Sequence, residues 1–256
     1  MNLRQSSMRA FCAVVCLALA GCNWAPGRPK PGPEVPRPDA VLDFPTLYRQ
    51  NCSACHGDSG RNGPSYPLAN PEYQGLVNES TLRKIIAEGL PGTMMPAFAR
   101  SAGGELTDAQ VNALVAGMRA AWYKPAIFAG VTPPPYQASS AGDAENGAQV
   151  YTKFCARCHG SIEQPGGKAG SILDPNFLQL VSNQELRTLV IAGRPDLGQP
   201  DWRGDVEGQP MTAQQVSDLI AWLSSRRPQQ GDMRSAGPEP AKAPAKMNNR
   251  RGGDVE

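Results

Sequence analysis

Two short segments of this chain carry the pattern C-x-x-C-H, and their side chains can do chemistry together. They are Cys52, Cys55 and His56 in the first segment, and Cys155, Cys158 and His159, 103 positions later, in the second. Together they use both histidines of the chain and four of its seven cysteines. Two thiols at this spacing can add to the two vinyl groups of one haem, and the histidine that follows can bind the iron. The pattern predicts two covalently attached haem c groups, with His56 and His159 as proximal ligands.

Two other chemistries use similar residues. An exported C-x-x-C pair can be a disulfide or a redox-active dithiol, and Cys and His side chains can bind zinc. A dithiol does not require a histidine in the same place twice. A structural zinc ion needs four ligands, whereas each segment offers three and the two segments together offer six. Haem attachment accounts for all six residues, so it is the favoured interpretation.

The N-terminal residues predict export from the cytoplasm. Two arginines precede an apolar run at residues 11–20, which is too short to span a bilayer. The run ends in small residues directly before Cys22. This resembles a bacterial lipoprotein signal, in which residues 1–21 are removed and Cys22 is lipidated; an ordinary signal peptide cut nearby is the alternative. Either interpretation places the protein outside the cytoplasm, and the first anchors it to the periplasmic face of the inner or outer membrane.

Composition limits the remaining possibilities. The whole chain has 25 basic and 23 acidic residues, and removal of residues 1–21 with their two arginines leaves 23 of each. No basic patch suitable for nucleic acid is visible. Residues 22–42 are rich in proline and predict an extended tether, while residues 228–256 have the composition of a disordered tail.

Between these ends the chain contains an internal repeat. Residues 43–125 form the first repeat and residues 143–227 the second, joined by a Pro-rich linker at 126–142. After the histidines the repeats align at an offset of 104, which pairs Pro71 with Pro175, Leu82 with Leu186, Gly89 with Gly193, Pro96 with Pro200 and Phe98 with Trp202. Each repeat closes with an amphipathic helix that a threonine, Thr107 or Thr212, is expected to cap.

This arrangement resembles the class I c-type cytochrome fold, and residues 43–227 resemble a tandem dihaem member of that family. The resemblance implies an all-α architecture: two small helical bundles, each built around a covalent haem. It also implies that a loop delivers a methionine sulfur as the sixth iron ligand, commonly before a proline. In the first repeat Met95 precedes Pro96 and is the predicted ligand. Met94 competes with it, and both could instead be core residues.

The second repeat departs from the family pattern at this loop. The offset of 104 places Gln199 where the first repeat has Met95. Three outcomes are open: Gln199 binds through its side-chain oxygen, the sixth position is open or holds water, or Met211 replaces the missing sulfur. Against the last, Met211 aligns with Leu106, which looks like a hydrophobic contact at the entrance to the closing helix. A thioether favours ferrous iron, so without Met211 the second haem is expected to have the lower potential.

Four other residues recur at equivalent places in the two repeats. Arg83 and Arg187 are interpreted as solvated helix-face charges, with pairing to haem propionates as the alternative. Asn70 and Asp174 each precede a proline and are interpreted as turn residues.

The sequence therefore predicts an electron carrier, not an enzyme: a lipid-anchored, extracytoplasmic dihaem cytochrome that shuttles single electrons between redox proteins. The resemblance implies partners such as a quinol-oxidising complex, a terminal oxidase or a periplasmic dehydrogenase. The alternatives are an enzyme or small-ligand sensor based on the second haem, and a fixed electron-transfer subunit of a membrane respiratory complex.

Overall fold

In the computed structural model of the chain, the described residues are 32, 35–204 and 209–228. The predicted signal segment, Cys22, most of the predicted tether and the predicted tail beyond residue 228 lie outside them. The described residues from Leu42 onward belong to one compact unit, which contains both repeats. The short 3-10 turn Pro38–Ala40 lies before that unit.

Each repeat contains five α-helices within the described residues. They are α1 Phe44–Asn51, α2 Ser53–His56, α3 Pro71–Leu76, α4 Glu79–Glu88 and α5 Asp108–Trp122 in the first repeat, and α6 Ala144–Phe154, α7 Ala156–His159, α8 Pro175–Leu180, α9 Asn183–Ala192 and α10 Ala213–Ser225 in the second. In these parts of the chain the β pairing consists of three isolated bridges. The predicted all-α class is confirmed.

Polar side chains cap the helices at matching places in the two repeats. The predicted caps Thr107 and Thr212 each accept a hydrogen bond from the backbone N–H three residues on. The side chains of Gln110 and Gln215 reach back to the cap residues, which completes a capping box at both helices. Local sequence therefore fixes where each closing helix starts.

In each repeat the closing helix packs against the helix that leads into C-x-x-C-H, and a glycine allows the close approach. A Cβ atom at Gly147 of α6 would lie 2.1 Å from the carbonyl oxygen of Asp218 in α10. In the first repeat the glycine is on the other helix: a Cβ at Gly117 of α5 would lie 2.1 Å from the ring of Phe44 in α1. Any side chain at either glycine would force the helices apart.

Apolar side chains from these crossing helices and from the shorter ones form the core of each repeat. The buried set includes Leu47, Tyr48, Leu82, Leu114, Val115 and Met118 in the first repeat, and Tyr151, Leu178, Ile191, Val216, Leu219 and Trp222 in the second. Both tyrosines pack against a tryptophan of the closing helix: Tyr48 meets Trp122 edge-to-face, and Tyr151 meets Trp222 at a tilted angle. The core thus lies directly beside the C-x-x-C-H segments.

The two repeats also contact each other. Helix α3 of the first repeat packs against α9 of the second. Phe128, in the predicted linker, packs edge-on against Trp202 with ring centroids 5.3 Å apart. Arg203 of the second repeat forms an ion pair with Glu72 of α3 at 3.3 Å. The repeats therefore share an interface with both apolar and charged contacts.

None of the helices in the described ranges is long and apolar enough to cross a membrane.

Candidate haem-attachment sites

Each predicted proximal histidine is held by the backbone of the loop that follows it. The Nδ1–H of His56 donates to the carbonyl oxygen of Tyr66 at 2.7 Å, and that of His159 donates to the carbonyl oxygen of Gly170 at 2.9 Å. With the proton on Nδ1, the Nε2 atom carries the lone pair that binds metal. Burial also lowers the pKa of His56, which favours the neutral ring. In both imidazoles Nδ1 is thus occupied by a carbonyl, which leaves Nε2 as the atom for iron ligation.

The loop after each histidine folds back over the motif in the same way. The backbone N–H of Ser65 donates to the carbonyl of Cys55 at 2.9 Å, and that of Ala169 donates to the carbonyl of Cys158 at 2.9 Å. The hydroxyl of the core tyrosine in each repeat, Tyr48 or Tyr151, donates to the glycine carbonyl directly after the histidine. The two proximal sides therefore share these hydrogen bonds.

The first thiol of each C-x-x-C pair lacks the lowered pKa of a redox-active dithiol. None of the four forms a disulfide. Burial and the neighbouring thiol raise the pKa of Cys52 to about 12, and they raise the pKa of Cys155 to about 12 as well. Reactive C-x-x-C thiols have lowered pKa values, because the thiolate is the nucleophile. The dithiol interpretation is therefore disfavoured.

A zinc site is also unsupported among the described residues, where no group of three or more His, Cys, Asp and Glu side chains is arranged to hold a metal ion. In each segment one thiol is at the N-cap of a short helix, the second thiol is within that helix, and the imidazole that follows has its Nδ1 bonded to a carbonyl. This arrangement fits covalent haem attachment instead. The chemistry of the donor set and the hydrogen bonds of the histidines agree on this point.

In the first repeat the predicted ligand loop lies between α4 and α5. Met94 is 97 % exposed, whereas Met95 is partly buried. The backbone N–H of Met95 is held by the Thr93 hydroxyl, and its carbonyl accepts from Leu90 at 3.1 Å. Met95 is thus the more buried of the two methionines, and its backbone is held in place. The prediction that Met95 binds the iron is therefore favoured over Met94.

In the second repeat Gln199 occupies the equivalent place. Its carbonyl accepts from the backbone N–H of Arg194 at 3.1 Å, the counterpart of the bond between Leu90 and Met95. Its Nε2 donates to the carbonyl of Leu189 in α9 at 2.8 Å. With its Nε2 held in this way, the Gln199 side chain has its amide oxygen as the remaining atom that can coordinate iron.

Met211 has the position that the repeat assigns to it. Its backbone N–H donates to the carbonyl of Trp202 at 2.8 Å, just as Leu106 donates to Phe98 in the first repeat. The side chain is 8 % exposed and belongs to the core of the second repeat. The contacts of Met211 are those of a core residue, and its recruitment as a ligand remains a less favoured prediction.

Comparison with known families agrees with this geometry. The family model described as cytochrome c oxidase, cbb3-type, subunit III matches residues 40–116 and 142–223. The chain belongs to this family. The two matched regions are tandem class I c-type cytochrome domains, so the predicted resemblance is confirmed. Covalently bound haem c and a role in electron transfer follow from membership.

Three curated proteins are similar to this cbb3-type subunit III member. The dihydro-heme d1 dehydrogenase of Pseudomonas aeruginosa is 46 % identical over 70 residues, 27 % of this chain and 13 % of that protein. The cbb3-type cytochrome c oxidase subunit CcoP of Azospirillum sp. is 28 % identical over 136 residues, 49 % of this chain and 41 % of that subunit. The cbb3-type cytochrome c oxidase subunit FixPc of Rhizobium leguminosarum bv. viciae is 26 % identical over 176 residues, 64 % of this chain and 55 % of that subunit. The match therefore spans between 13 % and 55 % of the length of these relatives.

One sequence interpretation is wrong for this family member: Arg187 is not a solvated charge. Its side chain is 3 % exposed, and its guanidinium donates to the carbonyls of Pro135 and Tyr136 in the linker and to the Ser217 hydroxyl. Arg83, its counterpart, is exposed and bonds to Asn112, as a helix-face residue would. Residues 135 and 136 of the linker lie against Arg187, which is why the equivalent arginines have different environments.

Sequence reasoning missed a pair of arginines that cap the short helices. Arg119 donates to the carbonyls of Gln74 and Val77, and Arg227 donates to the carbonyls of Leu178 and Val181. The carbonyls are related by the offset of 104, but the arginines are 108 positions apart. Because the offset differs, the repeat alignment did not pair them.

Proposed function

We propose that this protein is an extracytoplasmic, lipid-anchored dihaem cytochrome that passes single electrons between redox proteins. The observation that carries the proposal is the duplication of one proximal arrangement. Both C-x-x-C-H segments lie beside a buried core, and both histidines donate Nδ1–H to a backbone carbonyl. Cys22 is the proposed lipidation site, and residues 43–125 and 143–227 are the proposed haem domains.

The residues of the chain have defined tasks in this function. Cys52, Cys55, Cys155 and Cys158 attach the two groups, so that neither is lost during shuttling. A bound haem c supplies a one-electron couple between ferric and ferrous iron. The carbonyls of Tyr66 and Gly170 hold the proximal rings in one orientation and one tautomer, which limits rearrangement when the iron changes charge.

The distal sides give the two sites different properties. A sulfur from Met95 stabilises ferrous iron at the first site, whereas oxygen from Gln199, or water, does not. The first site is therefore proposed to have the higher potential, which directs electrons from the second haem to the first. Proposed partners are a quinol-oxidising complex, a terminal oxidase or a periplasmic dehydrogenase.

Haem stoichiometry and membrane attachment test the proposal. The purified protein should contain two haem c per chain by the pyridine haemochrome method, and paired Ala substitutions at Cys52 and Cys55, or at Cys155 and Cys158, should each leave one. Cys22→Ser should release the protein from the membrane fraction. A wild-type protein with one haem, or a Cys22→Ser protein that stays on the membrane, would contradict the corresponding part of the proposal.

A second candidate function is that of a fixed subunit in a membrane respiratory complex. It is favoured by the names of the relatives, two of which are cbb3-type oxidase subunits. Mild detergent extraction followed by affinity purification separates the candidates. A fixed subunit copurifies with its complex in constant ratio, whereas a shuttle is recovered alone.

A third candidate is an enzyme or sensor of small ligands at the second haem. Gln199 borders a cleft of about 310 Å³ between the repeats, which Glu72 and Arg203 also line. If this candidate is correct, carbon monoxide or cyanide should shift a high-spin signal of the purified protein. Two low-spin haems that are unchanged by either ligand would exclude it.

A further inference from the structure

The residue that holds the first proximal histidine also contacts the second repeat. The backbone carbonyl of Tyr66 accepts from Nδ1–H of His56 at 2.7 Å. The hydroxyl of the same residue donates to the carbonyl of Gly193 at 3.1 Å, across the interface between the repeats. One residue, through its backbone and its side chain, therefore connects the proximal side of the first site with the end of helix α9.

Asn70 strengthens this connection. Its Oδ1 caps α3 by accepting from the N–H groups of Glu72 and Tyr73. Its Nδ2 donates to the Tyr66 hydroxyl at 3.0 Å and to the carbonyl of Ala192 at 2.9 Å, with a longer contact to Gly193 at 3.3 Å. Asn70 is 3 % exposed, so these bonds are shielded from water. Because the two side chains bond to each other and both meet the Gly193 carbonyl, they form one network.

The carbonyls that accept these bonds lead directly into the loop that carries Gln199. Arg194 follows Gly193, and its backbone exchanges two hydrogen bonds with that of Gln199, at 3.1 and 3.0 Å. The Arg194 guanidinium lies 6.0 Å from the centre of the Tyr66 ring and pairs with Asp196 of the same loop at 2.8 Å. The network therefore ends at the base of the second distal loop.

The repeat alignment shows that the second repeat lacks the two side chains that form this network. At the offset of 104, Gly170 stands in the place of Tyr66, and Asp174 in the place of Asn70. Gly170 still holds His159 through its backbone, and Asp174 still caps its helix. Neither can donate a side-chain hydrogen bond, because glycine has no side chain and a carboxylate only accepts. The local tasks are kept in both repeats, and only the first repeat has the donors that reach across.

We propose that Tyr66 and Asn70 are positioning residues that couple the two haem sites: they fix the distal loop of the second site relative to the proximal histidine of the first. This rests on the proposed function, since it requires haem at both sites. Loss of the network loosens the loop at Gly193 and so alters the ligand field at the second iron. It leaves the first proximal histidine bonded, because that bond uses the Tyr66 backbone.

The test compares three variants of the holoprotein after their haem content has been measured. Tyr66→Phe removes the hydroxyl, and Asn70→Asp keeps the helix cap, as Asp174 does, while it removes the donors. Tyr48→Phe is the matched control, since it removes a tyrosine hydroxyl bonded to a glycine carbonyl within the first repeat alone. The second haem is identified as the one that is missing when Cys155 and Cys158 are both replaced by Ala.

Tyr66→Phe and Asn70→Asp should both shift the midpoint potential and the EPR signal of the second haem, with the first haem unchanged. Amide hydrogen exchange in residues 193–204 should rise about fivefold, the change expected for one lost hydrogen bond of about 1 kcal/mol. Tyr48→Phe should leave the second haem as in the wild type. If both interface variants contain two haems per chain and their second haem is like that of the wild type, the proposed coupling is wrong while the proposed function stands. The same conclusion follows if Tyr48→Phe shifts the second haem as much as the interface variants do. Fewer than two haems in the wild type would contradict the proposed function instead.

Discussion

The guanidinium of Arg187 donates two hydrogen bonds to the carbonyl oxygen of Pro135, from Nε at 3.0 Å and from Nη2 at 2.9 Å. Arg187→Ala removes these bonds and leaves a void beneath the linker. We expect the free energy of unfolding of the holoprotein to fall by about 1.5–3 kcal/mol, the range for hydrogen bonds to a charged group. Denaturant titration followed by tryptophan fluorescence measures this loss.

Arg83→Ala is the matched control, since Arg83 occupies the equivalent position on an exposed helix face. Its effect should stay within about 0.5 kcal/mol, as for most surface substitutions. Equal losses in the two variants would mean that the contacts with the linker do not stabilise the fold.

The two adjacent methionines of the first distal loop should respond differently to substitution. Met95→Leu is expected to abolish the weak red absorption band of methionine-ligated ferric haem and to lower the potential of the first haem. Met94→Leu should leave both unchanged, because Met94 is almost fully exposed. Visible spectra and a redox titration separate these outcomes. If the band disappears in Met94→Leu and survives in Met95→Leu, the ligand assignment is reversed.

Gln199→Met should supply the sulfur that the second site lacks. We expect a second red band and a rise in the potential of the second haem on the order of 100 mV, a small part of the ~0.8 V that axial ligands span. Gln199→Leu is the control, because it also loses the bond to Leu189 but adds no sulfur. A rise of the same size in both variants would show that ligation is not the cause. No change in Gln199→Met would favour Met211 as the existing ligand.

Gly75 should be intolerant of even a methyl group. A Cβ atom there would lie 2.6 Å from Ile127 and 2.8 Å from Phe128, within the contact between the linker and α3. Alanine usually stabilises a helix relative to glycine, but here overpacking should dominate, and we expect a loss of about 1–3 kcal/mol. Thermal or denaturant unfolding of the holoprotein measures it.

The same Gly75→Ala change can be made in a chain with Ile127→Ala and Phe128→Ala, where the new methyl group has space. There it should be neutral or stabilising. A loss of equal size in this background would place the cause within α3 and not at the contact with the linker.

Features that depend on local sequence could be predicted, whereas features that depend on contacts between repeats could not. The caps Thr107 and Thr212 were predictable because a capping box uses only residues three positions apart. The haem-attachment residues were recognisable for the same reason. The hydrogen bonds of Tyr66 and Arg187 could not be predicted from the sequence, because their partners are 127 and 52 positions away in the chain. Asn70 was predicted as a turn residue, whereas its Oδ1 caps helix α3 and its Nδ2 bonds to the second repeat.

Only the first repeat supplies the side-chain donors at the interface, and this restricts how the repeats can pack against each other. Tyr66 and Asn70 donate to carbonyls at the end of α9, so the contact between the repeats is heterologous, the kind that can in principle be extended indefinitely. The second repeat presents Gly170 and Asp174 at the corresponding places and cannot offer the same bonds to a third copy. The second repeat can therefore receive this contact but cannot make it, and a further repeat would need a different interface.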